Sequence, residues 1–218
     1  MFSFNSLKRI LFILYNMRYT LNGGVEDMQI SIFSGSPRKT GNSSIIASKL
    51  EQEFTNLNNK VTCDIIKVSD LNIYPCTGCE SCSNTSRCVI QDDMLEIYKK
   101  VQLSDVIVFV SPIYFGSITG QLKILIDRFQ PFFAAKYLRK QPIIPSSNNK
   151  IASLIAVSGM DKQRFYENAQ EIIKVFCINS NIKLGPGLYL GGVDYAGEIN
   201  DKPLLKNKVS ELAQLLID

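Results

Sequence analysis

Cys76, Cys79, Cys82 and Cys88 fall within thirteen residues of a 218-residue chain, in the spacing C-x2-C-x2-C-x5-C. Thiolate is both a nucleophile and a soft ligand, and the glycine and small residues between these cysteines let one loop wrap four sulfurs around a compact centre. The residues themselves leave three chemistries open: an iron–sulfur cluster, a zinc ion held by four cysteines, or ordinary thiols that include a reversible disulfide. The spacing differs from a bacterial ferredoxin run, which has three residues before its last cysteine and a proline after it. Cys63 and Cys177 sit alone in apolar surroundings, as small buried hydrophobes do. Clustered cysteines in a chain of this length read as ligation or redox chemistry in a reducing compartment, so a cytoplasmic location is expected. The chain has no histidine, which excludes Ser-His-Asp and Cys-His nucleophiles, His-ligated zinc, Rieske centres and His-ligated haem. Its chemistry must rest on cysteine, carboxylate, backbone or a bound cofactor.

A second candidate site is the stretch Ser34-Gly35-Ser36-Pro37-Arg38-Lys39-Thr40-Gly41-Asn42-Ser43-Ser44. Gly35 and Gly41 permit tight turns, Ser36, Thr40 and Ser43 supply hydroxyls, and Arg38 supplies a charged fork. Asn42 or Ser43 is expected to cap a helix whose free N–H groups attract an anion. The pattern is neither G-x-x-x-x-G-K-[ST] nor G-x-G-x-x-G, which argues for a mononucleotide phosphate held without magnesium.

The elements that must position these groups follow from two periods. Short β-like runs recur at Gln29–Phe33, Val61–Val68, Val106–Val110, Ile151–Val157 and Leu184–Leu190, the third and fourth almost continuously apolar, as a buried parallel strand requires. Helical patterns lie at Ser43–Thr55 (Ile46, Leu50, Phe54), Gly120–Gln130 (Leu122, Leu125, Ile126, Phe129), Arg164–Asn179 (Phe165, Ala169, Ile172, Phe176) and Pro203–Ile217 (Leu205, Val209, Leu212, Leu216). Five alternations predict a parallel sheet covered on both faces, with right-handed crossovers and a ligand at the carboxyl ends of the strands, after Phe33, Val110 and Val157.

The chain is 45% hydrophobic and 20% charged, enough for one substantial α/β core. Its charge of +4 is spread without like-charged blocks, so no nucleic-acid or membrane surface is expected. Lys8 and Arg9 precede the apolar run Ile10–Tyr15, which is too short for an export signal or a membrane span and lacks a small-residue cleavage site. Residues 1–27 are expected to be an extension outside the fold, with Met28 a natural translation start, and 28–218 to form one domain carrying a cysteine loop at 75–92.

Gly35-Ser36-Pro37-Arg38 with Gly41-Asn42-Ser43, Ser111-Pro112-Ile113-Tyr114-Phe115-Gly116-Ser117, and Leu122-Lys123 followed by Asp127-Arg128 resemble the flavodoxin-like NADPH-dependent FMN reductase family. The cysteine spacing resembles that of its iron–sulfur flavoproteins. The resemblance implies a doubly wound five-stranded parallel sheet of order 2-1-3-4-5. It implies that Ser36, Arg38, Asn42 and Ser43 hold the FMN phosphate, and that Pro112, Ile113, Tyr114, Phe115, Gly116 and Ser117 follow the edge of the isoalloxazine ring. It also implies that Cys76, Cys79, Cys82 and Cys88 bind one 4Fe-4S cluster near the flavin.

By the same resemblance, NAD(P)H would deliver a hydride to the flavin, which passes electrons to free flavin, a quinone, a metal or another acceptor. The competing expectation is an electron carrier fed by ferredoxin with no dedicated small-molecule substrate; a structural zinc or flavin-sensing module has least support. A homodimer or homotetramer is expected. No acid or base residue is required, because the cofactor carries the chemistry. A 2+ cluster core with four thiolates contributes about −2 and an FMN phosphate about −2, which would bring the loaded chain near neutral.

Of Tyr114 and Phe115, one is expected to stack on the ring and the other to pack in the core, since chain neighbours face opposite ways. Ser158-Gly159-Met160, Asp161 and Arg164 carry only a weak ligand signal. Gln91-Asp92-Asp93-Met94 is read as the capped start of a helix, and Lys136, Arg139 and Lys140 as a solvated face rather than a phosphate or partner site.

Overall fold

The computed structural model describes residues 28–218; the extension expected over 1–27 lies outside the described residues. In chain order the elements are β1 (Met28–Ser34), α1 (Asn42–Leu57), β2 (Val61–Lys67), a short α2 (Ser81–Thr85), α3 (Met94–Leu103), β3 (Val106–Pro112), α4 (Gly120–Asp127), α5 (Gln130–Phe133) continued by a π turn (Ala134–Leu138), β4 (Ile151–Val157), α6 (Gln163–Ser180), β5 (Lys183–Leu184), β6 (Leu188–Leu190) and α7 (Pro203–Ile217). The sheet is parallel throughout, with order β2-β1-β3-β4-β5 and β6 also paired to β4. This is the flavodoxin-like order.

Both faces of the central strands are buried, so period-2 alternation sorts side chains between two cores rather than between core and water. Val106, Val108 and Val110 of β3 join Ile30, Ile32, Leu50, Phe54 and Leu212 on the α1/α7 face. Ile107 and Phe109 join Phe33, Leu125, Ile173 and Phe176 on the α3/α4/α6 face. Phe109 is the hub of that side, stacked on Phe33 at 5.5 Å and edge-on to Phe176 at 5.2 Å between centroids.

Three expectations change. The last strand is not continuous over Leu184–Leu190. Pro186 has no N–H to offer the ladder, so β5 and β6 are separate short pairings with β4, and Ser153 Oγ donates to the Pro186 carbonyl at 2.5 Å. The helix from Gly120 stops at Asp127 because Pro131 cannot donate to the preceding turn; the chain restarts as α5 with that proline in its first turn. The buried stripe of α6 runs through Tyr166, Ala169, Ile173 and Phe176, which leaves Phe165 and Ile172 half-buried.

Among the described residues, no helix is long and apolar enough to cross a membrane. Phe109→Ala should cost about 3–5 kcal/mol of unfolding free energy in a urea titration, whereas Leu204→Ala, at an exposed α7 position, should stay within about 0.5 kcal/mol.

Candidate functional site

The two loops expected to hold a flavin leave adjacent strands, β1 and β3, at their carboxyl ends, and are tied together. Gly35 N–H donates to the Val110 carbonyl at 2.8 Å, and Thr119 Oγ1 donates to the Gly35 carbonyl at 2.7 Å. Thr119 is fully buried and is also the N-cap of α4, accepting from Leu122 N–H. A Cβ at Gly35 would lie 3.0 Å from Leu122 Cβ, so glycine there is what lets the first loop lie against α4.

Within the first loop the Arg38 carbonyl organises the turn, accepting from Ser36 Oγ at 3.3 Å and Ser44 Oγ at 2.9 Å, while the Arg38 side chain is exposed. Neither Asn42 nor Ser43 is the cap. Gly41 is the N-cap of α1, with no side-chain bond, and Asn42 and Ser43 form the first turn, buried. Ser44 and Ile45 N–H already donate to the Gly41 carbonyl at 2.9 and 3.1 Å, so the helix start leaves the Asn42 and Ser43 N–H groups as the donors an anion could use. The Asn42 carboxamide is committed elsewhere: it donates to the Tyr195 carbonyl at 2.7 Å and accepts from Ile199 N–H at 3.3 Å, so any ligand contact falls to its backbone. Ser36 Oγ is likewise engaged, donating to the Arg38 carbonyl and accepting from Arg38 N–H at 3.2 Å, so the donors this loop leaves for an anion are the Asn42 and Ser43 backbone N–H groups.

In the second loop, Ile113 N–H donates to the Val157 carbonyl at 2.7 Å, which anchors the loop to β4. Tyr114 and Ser117 exchange backbone bonds across a tight turn with positive φ at Phe115 (50°) and Gly116 (77°). That turn corrects the expectation for the aromatics. Phe115 sits at its tip, fully exposed, and Tyr114 is also exposed, so neither is core; the half-buried member of the loop is Ile113. A Cβ at Gly116 would meet the Phe165 ring at 3.2 Å, so Phe165 backs the turn. Lys162 and Arg164 lie over that ring at 5.8 and 5.2 Å, and Asp161 packs against Gly191, which leaves the third loop's charged residues with structural partners. Lys136 donates to the Ile178 carbonyl at the end of α6 and sits 5.2 Å from the Tyr137 centroid.

The cysteine loop is closed at its neck by carboxylates. Asp92 Oδ2 accepts from Tyr74 N–H at 3.0 Å, Asp92 Oδ1 from Met94 N–H at 3.1 Å, and Asp93 Oδ2 from Asn72 N–H at 2.7 Å. Asp92 thus does more than start α3. Its side chain, 0% exposed, pairs with the Arg128 guanidinium, 1% exposed, through Nη1 at 2.5 Å and Nη2 at 3.1 Å. Burial alone would raise the Asp92 carboxyl, but Arg128 and the two backbone N–H groups hold it below the usual range. Arg128 also donates from Nη1 to the Tyr74 carbonyl at 2.6 Å and from Nη2 to Cys88 Sγ at 3.5 Å. Sequence reasoning quoted Arg128 and Asp92 without giving them this role. The available signal was that Arg128 stands three residues after Leu125, one residue past α4 in continuation of its apolar stripe.

All four cysteines are free thiols lining one cavity of about 390 Å³, together with Ile124 and Arg128. Left-handed residues at Gly78, Glu80 and Ser86 bend the loop around α2 between Cys79 and Cys88. Among the described residues no group of three or more Cys, Asp and Glu is drawn together around a common centre. The thiols differ in character. Ser81 lowers the Cys79 pKa by hydrogen bonding, burial raises that of Cys82, and burial pushes Cys63 and Cys177 up to about 12. A groove of about 640 Å³ beside the ring loop, containing Phe115, Gly116 and Ser117, shares Asp127, Gln130 and Phe133 with the cysteine cavity.

Residues 28–179 match the family model described as NADPH-dependent FMN reductase. An iron–sulfur flavoprotein of Methanocaldococcus jannaschii is 32% identical over 76% of this chain and 81% of its own length. Another, from Methanosarcina thermophila, is 31% identical over 88% and 94%. Among solved structures, an NAD(P)H:quinone oxidoreductase from Methanothermobacter marburgensis superimposes with a TM-score of 0.66 at 12% identity, over 88% of this chain and 98% of that one.

The thiols supply a direct check. In metal-free protein at pH 8, a thiol reagent should modify Cys79 first and leave Cys63 and Cys177 unreacted under native conditions, because a pKa near 12 leaves about one thiolate in ten thousand. Peptide mapping that finds Cys177 labelled before Cys79 would contradict the environments described.

Proposed function

The chain belongs to the NADPH-dependent FMN reductase family, and from that premise we propose that it is an NAD(P)H-dependent FMN oxidoreductase whose four clustered cysteines hold a 4Fe-4S cluster beside the flavin. One observation carries the combined reading. The turn at Phe115, Gly116 and Ser117 and the cavity of Cys76, Cys79, Cys82 and Cys88 border one wall, formed by Asp127, Gln130 and Phe133, so a flavin edge held at that turn would lie near the cysteines. A chain using flavin alone has no need of four free thiols on the other side of that wall.

FMN, when bound, supplies hydride and single-electron chemistry. The chain's part is to hold and orient it. The Asn42 and Ser43 backbone N–H groups at the α1 N-terminus take the phosphate, with Arg38 as a charged lid from the exposed side. The ring loop from Pro112 to Ser117 is stiffened by its proline, bonded to β4 and backed by Phe165, so its N–H groups would meet the ring edge in a fixed position. Exposed Tyr114 and Phe115 offer faces for stacking and exclude water from one side of the ring. Cysteine-only ligation suits iron–sulfur chemistry, and the free thiols and the buried Arg128 donors lining the cavity fit an anionic thiolate-ligated group. The same proximity supports a second role, as a carrier that accepts electrons from a ferredoxin through the cluster.

The test is anaerobic purification with iron, sulfide, zinc and flavin analysis, followed by mixing with NADPH, NADH or reduced ferredoxin while the flavin absorbance is recorded. Stoichiometric iron with rapid bleaching by NAD(P)H is the expected result; stoichiometric iron with response to ferredoxin alone would replace the reductase by the carrier. Cys79→Ser should remove iron and retain FMN, and loss of both would contradict separate sites. Zinc in place of iron would overturn the cluster.

A further inference from the structure

Arg128 presents five N–H donors in a buried place, and their partners can be followed one by one. Two on Nη1 go to the Tyr74 carbonyl and Asp92 Oδ2, and two on Nη2 go to Asp92 Oδ1 and Cys88 Sγ. The fifth, on Nε, is buried with no acceptor, although Arg128 lines the cavity of the four cysteines. A buried N–H left unpaired is destabilising, and Asp92 already accepts four bonds, so the pair with Asp92 accounts for neither the Nε donor nor the contact to sulfur. A thiolate-ligated group in the cavity would account for the contact to sulfur, with Cys88 Sγ as the ligating atom and Nη2 as its donor.

Resting on the proposal that the cysteines hold a 4Fe-4S cluster, we infer that Arg128 is a positioning residue of that site: it orients Cys88 as a ligand and raises the reduction potential of the cluster. A 2+ core with four thiolates carries a net charge of about −2, and one electron, taken from reduced flavin or an external donor, makes it about −3 with no bond broken. A fixed guanidinium charge with N–H donors to sulfur, in a cavity of low dielectric, favours the more negative state. The Asp92 carboxylate opposes this in part, but both its oxygens are engaged by Arg128 and by backbone N–H groups, whereas the guanidinium itself reaches sulfur. The arrangement is directional.

The experiment compares the full wild-type chain, Arg128→Lys, and the double variant Arg128→Met with Asp92→Asn, which removes both buried charges together. Each is purified anaerobically and reconstituted with iron and sulfide. Iron, sulfide and FMN per chain are measured, and the midpoint potential of the cluster is read by EPR-monitored titration of the loaded protein. The double variant should keep FMN and show a reduction equilibrium at least tenfold less favourable, a shift of about 59 mV to more negative potential for a one-electron step. Arg128→Lys, which keeps the charge but loses the forked donors, should fall between. Should the double variant lose FMN as well, the lysine variant decides: lowered iron content or a more negative potential supports the assignment, and wild-type values for both overturn it. A wild-type potential in a double variant that keeps FMN and iron overturns the assignment alone, whereas a wild-type chain that takes up no iron overturns the cluster itself and this inference with it.

Discussion

The buried pair of Asp92 and Arg128 is the interaction on which the functional half of the molecule depends. Taking two charges out of water is costly, and such pairs persist where geometry satisfies every remaining lone pair. Here the carboxylate receives two guanidinium and two backbone N–H bonds. The four participants come from three distant stretches: the strand-exit segment at Tyr74, the start of α3, and the end of α4. The cysteine loop between Tyr74 and Asp92 is largely exposed and contributes little to either core, so apolar burial gives it no single preferred conformation. Its neck is fixed by charge instead. Removing one partner of a pair like this leaves an uncompensated buried ion, at a cost of about 3–5 kcal/mol.

The other half of the site rests on ordinary α/β packing. β3 lies at the centre of the sheet and feeds both cores, and its carboxyl end presents Ser111 and Pro112 next to the exit of β1. Thr119 then joins the two exits through one hydroxyl, which donates to the first loop and caps the helix after the second. The loops are thereby tied to α4, whose C-cap is Arg128. The loop after β1, the loop after β3 and the neck of the cysteine loop are therefore linked through a single eight-residue helix.

Periodic features were legible in the residues. Strands at Gln29–Phe33 and Val106–Val110 and the helix at Pro203–Ile217 stand where alternation and 3.6-residue spacing place them, because local preference and burial agree there. That the sheet is parallel and covered on both faces follows from the alternation of strand and helix, whereas its strand order was implied by the family resemblance. Four matters were hidden for identifiable reasons. The break at Pro186 depends on one missing N–H within an otherwise strand-like run. The exposure of both Tyr114 and Phe115 depends on two successive positive φ angles, and a non-glycine residue rarely takes one. The Asp92–Arg128 pair joins residues 36 apart, and nothing local marks either as the partner of the other. The same applies to Asn42, whose amide reads as a cap but reaches 153 residues along the chain to Tyr195.

The break at Pro186 has a bearing beyond the fold. β5 and β6 pair with β4 at one border of the sheet, and a parallel border strand that is long and regular offers unpaired amides and carbonyls to any extended segment nearby. Two residues, a proline-centred interruption and three residues more give no such template. That border therefore lacks the continuous row of backbone groups on which strand addition depends.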